Sequence, residues 1–380
     1  MIFSEKEKLL TIEQSYNKRN NSFDVIRFIL SLLVIYSHSF VLLGVQGNGG
    51  DIIERLTHNQ LSGGSLAVKC FFVVSGFLIM QSLAASPSIT QYFKNRTLRI
   101  FPAFFVSLSI MAFIVGPLIT NLEWRDYFSY QDGSPYSFVL KNILMNINGY
   151  AWTVRDLFSN VPFPGSINGS MWTLKHEIAM YLVLPIFGFF LLIRFRNLFL
   201  LATCSIIILS YLNIMKNYNP LNLNGNIYWV LSNNEYSSFI QLAPYFLVGS
   251  LLYLYKERIV LNSKFFAITL FIAFISLKAG VINYTLILVL PYALIFVAVK
   301  FRYSKFRKYG DFSYGLYIYA FPIQQLIVYF WRDSLNITTF ILLNCISTFI
   351  VSFLSWHLIE KKALKLKVGG IRLKNEQVEV

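Results

Sequence analysis

An all-α polytopic membrane bundle of about ten transmembrane helices, with both termini cytoplasmic, is the fold class this sequence predicts, and three observations predict it. The first is composition: of 380 residues, 56% are apolar and 13% charged, against about 25% charged in soluble domains. With a mean hydropathy of +0.55, 36 Phe and 23 Tyr, too little polar surface remains to cover a water-soluble core. The second is a succession of apolar runs long enough, or nearly so, to cross a hydrocarbon core that asks for about 20 residues. The third is an alternation of Lys and Arg between the connections that join those runs. Together they exclude an ordinary cytosolic enzyme, a disordered chain and a disulfide scaffold. Cys70, Cys204 and Cys345 each lie alone in an apolar run and read as small buried hydrophobes, not as zinc ligands.

The runs cover about 23–43, 65–85, 101–120, 172–193, 197–214, 236–255, 264–278, 281–299, 311–331 and 336–358. The stretch 137–151 is apolar but broken by Lys141, Asn142, Asn146 and Asn148, and reads as a surface or re-entrant helix. Most of the 33 Lys and Arg fall in one set of connections, while the opposite set holds only Arg55, Arg125, Lys141, Arg155, Lys216, Lys278 and Arg332. A wrong number of spans would scramble this pattern, so it places both ends in the cytoplasm and makes the net charge of +15 a matter of topology, not of nucleic acid. The chain then divides into a cytoplasmic segment 1–22, a membrane domain 23–360 and a basic cytoplasmic tail 361–380, with 121–171 as a folded lid outside. The polar N-terminal segment does not have the form of a signal peptide.

Ionisable residues inside an apolar span are costly and mark function by default. In the first run, Asp24, Arg27, Ser31 and His38 fall within about 60° of one another around a helix, and Arg27 and His38 are separated by roughly 16 Å along it. One polar stripe thus enters the membrane from the cytoplasmic end; the plainer reading pairs Asp24 with Arg27 at the interface. Lys69, Ser75 and Gly76 lie in the second run, the glycine permitting close approach of a helix or ligand. In "YFKNRTLRIFP", Arg96 and Arg99 are i,i+3, so both guanidiniums point one way, a geometry suited to phosphate. The fourth run opens with Lys175, His176 and Glu177, with Tyr181 on the face of Glu177. Tyr314, Tyr317 and Gln324 line the ninth. Glu360 reads as a surface carboxylate beside the basic tail, and His58 and His357 carry no assignment.

The segments "FDVIR" with His38 eleven residues after Arg27, "FFVVSGFLI", "RTLRIFP", "MWTLKHEIAMYL", "PYFLVGSLL", "FSYGLYIYAFPI" and "IE" before the basic tail occur in this order over about residues 23–361. As an ordered set they resemble the acyltransferase-3 family of bacterial membrane O-acyltransferases of surface carbohydrates. The resemblance implies a ten-span bundle in the bacterial cytoplasmic membrane. It would use acetyl-CoA or a related acyl-CoA as donor, with no permanently bound cofactor and no metal. The acceptor would be a hydroxyl of a polysaccharide (O-antigen or exopolysaccharide) or a lipid-linked glycan. It makes His38 the catalytic histidine and Glu177 a catalytic acidic residue, and assigns Arg27, Arg96 and Arg99 to the donor. Departures are Ala320 where the family's ninth span often has histidine, Lys69 where it often has an acidic or small residue, and Lys362 where it often has proline. No C-terminal hydrolase-like domain of the kind some members carry is expected, so a second transfer step would fall to a partner.

Acyl transfer from a thioester needs a base, oxyanion stabilisation and a seat for the anionic donor. His38 suits the first because its unperturbed pKa near 6.5 leaves it neutral at physiological pH. Glu177 would orient that imidazole or a hydroxyl, and Lys69, Lys175, His176 and Tyr317 are candidates for oxyanion or acceptor contacts. Direct transfer and an acyl-His38 intermediate both fit. A transporter of a glycolipid or anion is the rival reading, since transporters also place ionisable groups at mid-membrane; a binding or regulatory protein that keeps the fold without needing His38 is a third. The polar residues cluster in spans one to four, with no inverted repeat in the hydropathy, which favours the enzyme.

Overall fold

A computed structural model describes residues 9–45, 50–144, 151–187, 196–215 and 234–367. Every apolar run named above contains a helix: α1 (Phe23–Leu42), α2 (Gly63–Ala85), α3 (Ile89–Ile110), then, after the short α4 (Pro135–Ile143), α5 (Met171–Phe187), α6 (Arg196–Met215), α7 (Asn234–Leu254), α8 (Ser263–Lys278), α9 (Ile282–Lys300), α10 (Ser313–Trp331) and α11 (Ile337–Ser355). Among the described residues, 7 helices are long and apolar enough to cross a membrane: α1, α2, α3 with its extension to Ile119, α6, α7, α9, and α11 with its extension to Lys365. The other three runs give 17, 16 and 19 residues in α5, α8 and α10. Residues 188–193, the end of the expected fourth span, lie outside the described residues, as do 145–150 and the tail beyond 367.

Phe265, Ile268, Leu270, Phe271, Ile272, Phe274 and Ile275 of α8 are all exposed, as are Leu342, Ile346, Ile350, Phe353 and Leu354 of α11. Apolar side chains turned outward over whole helices belong against lipid, where the backbone satisfies itself within each helix. The polar residues are inside: Ser31, Ser39, Gln324, Gln325, Asn344, Thr348 and Ser352 are buried.

α4 has 9 residues, too short to cross a bilayer, and packs on α3. Further along the 121–171 connection, the chain is stitched onto α10 by side-chain amides. Gln325 donates to the carbonyls of Phe163 and Ser166, both at 2.8 Å, and Asn168 donates to Ile318 O at 2.8 Å. At the opposite end a two-stranded antiparallel clasp, β1 (Leu10–Thr11) with β2 (Val260–Leu261), ties the N-terminal segment to the α7–α8 connection.

The most extensive packing joins α2 to α7, with α1 between α2 and α10, and α10 on α11. A Cβ on Gly76 would lie 1.9 Å from Phe246 O, and one on Gly249 would lie 2.2 Å from Val73 O. Each glycine thus lets the other helix's backbone in, and Ser250 Oγ donates to Gly76 O at 3.0 Å across the contact. Two segments that carry the family resemblance, "FFVVSGFLI" and "PYFLVGSLL", are therefore the two sides of one seam. Gly76→Val is expected to cost at least about 3 kcal/mol, the upper end for overpacking, because a rigid carbonyl and not a movable side chain blocks the new atoms. Loss of monodisperse protein in detergent, against a wild-type control, checks it.

Candidate active site

Three cavities follow one another along the α1–α2 interface. The first, about 490 Å³, opens at the end of the bundle where α1 begins; its wall includes Lys18, Asp24, Arg27, Arg96, Arg99, Glu177, Asp311 and Lys367. A neck of about 80 Å³ follows, between Val68, Phe71, Phe72, Ile100, Leu174 and Tyr314. It shares Arg27, Ser75, Arg99, Glu177 and Tyr181 with the first cavity. The far cavity, about 380 Å³, is bordered by His38, Glu54, Lys69, Ser170, Trp172 and Gln241, and shares Val68 and Tyr317 with the neck. Three cavities with shared walls, lined by charge at one end and bordered by an imidazole at the other, thus lie in series through the bundle.

The charge at the first end is organised by two carboxylates. Asp311 Oδ2 accepts from Arg27 at 2.8 Å and from Arg99 at 2.6 Å, and Glu360 Oε2 accepts from Arg99 at 3.2 Å. The plainer reading, Asp24 paired with Arg27, gives way to another partner: Arg27 forms its ion pair with Asp311, while Asp24 borders the same cavity. The reading of Glu360 as a surface carboxylate is also corrected, since its side chain is 1% exposed. The reason is local. After Ser355 the helix widens into a π-turn over Trp356–Glu360 before Lys361–Lys365 resumes, and this rotates Glu360 inward, where Ser355 Oγ donates to it at 3.1 Å. Such π-turns often occur at functional sites. Asp311 is aimed by the residue before it. Gly310 has φ +124°, and a Cβ there would meet the Trp356 indole nitrogen at 2.5 Å, so only glycine passes under that ring.

Arg96 and Arg99 share one cavity wall, as their i,i+3 spacing predicts, and they project from the continuous helix that becomes the span. Their partners differ: Arg96 donates to Ser82 Oγ at 3.2 Å, whereas Arg99 holds the two carboxylates and also lies 5.5 Å from the Tyr314 ring centroid. Glu177 accepts from Ser75 Oγ at 2.8 Å and from Tyr181, its i+4 neighbour.

His38 lies in the far cavity. Its ring meets Phe321 edge-on at 5.4 Å, and its Nδ1 is buried with no hydrogen-bond partner among the described residues. That leaves Nε2 as the nitrogen available to a reactant. Lys69 borders the same cavity, its Nζ 3.3 Å from Asn283 Oδ1. Tyr317 stands where neck and far cavity meet, bonded to Thr173 Oγ1 and donating to Ser170 O at 3.1 Å.

The expected residues are thus sorted into places. Arg27, Arg96, Arg99 and Glu177 meet at one end; His38, Lys69 and Tyr317 meet at the other. Glu177 is bonded at the neck and does not orient His38. Lys175 and His176 border none of the three cavities; His176 is buried between Trp172 and Phe239, at ring separations of 5.8 and 6.0 Å. The sequence reading missed Asp311 and Glu54. For Asp311 a signal existed: an arginine inside a span requires a carboxylate, and Asp311 is an acidic residue flush with the start of an apolar run.

A family model described as an acyltransferase domain, Acyl_transf_3, matches residues 20–357. An O-acetyl transferase of Shigella phage Sf6 is 28% identical over 359 residues, covering 91% of this chain and 96% of that protein. Nodulation protein 10 of Rhizobium leguminosarum bv. viciae is 28% identical, covering 94% and 96%. The peptidoglycan O-acetyltransferase OatA of Listeria monocytogenes is 23% identical over 81% of this chain and 53% of its own length. No solved structure matches.

Proposed function

The chain belongs to the Acyl_transf_3 family and is a multi-pass membrane O-acyltransferase, and on that premise we propose that it moves an acetyl group from cytoplasmic acetyl-CoA to a hydroxyl of a surface polysaccharide or lipid-linked sugar. The observation that carries this reading is the passage itself, cationic where an acyl-CoA would enter and histidine-bearing where a sugar would wait. Ten spans with both termini in the cytoplasm, in a bacterial inner membrane, give the passage its direction.

In this reading the donor's phosphates rest in the first cavity and the slender pantetheine arm occupies the neck, so that the thioester emerges beside His38. His38 Nε2 takes the proton of the acceptor hydroxyl as its oxygen attacks the thioester carbonyl. The tetrahedral oxyanion collapses, the C–S bond breaks, and the imidazolium returns the proton to the departing thiolate. Reaction through an acyl-His38 uses the same placement with the steps separated. Lys69 borders the cavity of His38, and an oxyanion donor in a water-poor site contributes about 10²- to 10³-fold. Lys69→Met is expected to lower kcat by that amount with CoA affinity retained, a split read by pairing turnover with CoA titration.

The reading as a whole is tested by the O-acyl content of the host's surface polysaccharide, measured by NMR before and after mild alkali. An ester present with the intact gene and absent from its deletion is the expected result. Identical spectra would remove that polymer as acceptor.

A further inference from the structure

The first cavity carries more positive charge than its carboxylates use. Arg27 and Arg99 are engaged by Asp311 and Glu360. Among the described residues Arg96 has no carboxylate within ion-pair distance: its side chain donates to a serine hydroxyl, and its Nε is buried without a hydrogen-bond partner there. Lys367 reaches the same wall from just beyond the helix Lys361–Lys365. It lies outside the residues 20–357 that match the family. Burial, with Arg96 and Arg99 adding to it, pushes the Lys367 ammonium down to about 8. A cation crowded by two guanidiniums marks a place where the potential calls for an anion.

Position says which anion. The walls shared with the neck are Arg27, Ser75, Arg99, Glu177 and Tyr181, whereas Gln81, Arg96, Leu364 and Lys367 border the first cavity and not the neck. From Ser75 to Gln81 the α2 axis advances about 9 Å, away from the neck. A CoA thioester is a long molecule with its acyl group at one end and a ribose 3′-phosphate near the other. With the pantetheine arm in the neck, the 3′-phosphate falls among the first-cavity residues farthest from it.

We propose that Lys367, together with Arg96, forms the subsite for the 3′-phosphate of the acyl-CoA donor. The proposal rests on the donor reading above and divides the two arginines of the i,i+3 pair. Arg96 faces the ligand, while Arg99 is a positioning residue that holds Asp311 and Glu360 in place.

The test is calorimetric titration of purified protein in detergent with CoA and with 3′-dephospho-CoA, which needs no acceptor. A charge-assisted contact to a phosphate predicts that the wild type binds CoA about 10-fold more tightly than the dephospho form. Lys367→Gln is expected to bring the two affinities within about 2-fold of each other, and Lys367→Arg to keep most of the preference. Equal binding of both ligands by the wild type overturns the proposal without any variant, as does an unchanged preference in Lys367→Gln. Binding of neither ligand by the wild type is a different failure, which removes the donor reading itself and the proposal with it.

Discussion

Replacing His38 with alanine is expected to lower acyl transfer by about 10²- to 10⁴-fold, the contribution of a positioned general base, because no other described side chain bordering the far cavity is an imidazole. Stability should change little. Among the described residues the ring's Nδ1 makes no hydrogen bond to lose, and its edge contact with Phe321 opens onto space already present. Affinity for CoA should also survive, since the charged end of the passage is roughly 16 Å away along α1. The measurement is ester formation in cells carrying matched amounts of wild-type and variant protein, with CoA titration of both. A variant that restores the ester would show that His38 is not the base, and the passage would then read as a conduit for a carried molecule.

Asp311→Asn is expected to have the largest effect on the protein itself. Asp311 is the counter-charge of two guanidiniums whose side chains are 21% and 14% exposed. Removing one member of a buried ion pair typically costs about 3–5 kcal/mol because the remaining charge is left without compensation. Here Arg27 would lose its ion-pair partner, and Arg99 would keep only Glu360. Glu360→Gln should therefore cost less, since Arg99 would still hold Asp311. Thermal unfolding in detergent should rank the variants as wild type, Glu360→Gln, then Asp311→Asn; the reverse order would show that Glu360 and not Asp311 anchors the cluster.

These two variants also mark what the sequence could and could not disclose. His38 was legible because a polar residue deep in an apolar run has no cheap explanation, and helical periodicity alone put it on the stripe of Arg27. The helices were legible for the same reason, their long apolar runs being the condition for insertion. Asp311 and Glu360 were harder. Each sits at the end of a run, where a charge is ordinary, and only the closure of α10 and α11 against α1 and α3 brings them to the arginines. The inward turn of Glu360 depends on a π-turn, which no periodicity of 3.6 anticipates. Glu177 shows another limit: its helix was legible, but its spacing left an imidazole or a hydroxyl open as partner, and the structure bonds it to the hydroxyls of Ser75 and Tyr181, because spacing along one helix says nothing about depth on the next.

The charge cluster has a further consequence in time. Arg27 and Arg99 belong to the first spans to leave the ribosome, whereas Asp311 and Glu360 are made after more than two hundred further residues. For that interval both guanidiniums must be held by water, lipid phosphates or the insertion machinery. On the proposed donor reading, the entrance for acyl-CoA is assembled only when the late helices dock, so an unfinished chain would lack it. A chain stalled before residue 311 should be inserted yet unable to bind CoA, and should be an early target for membrane quality control.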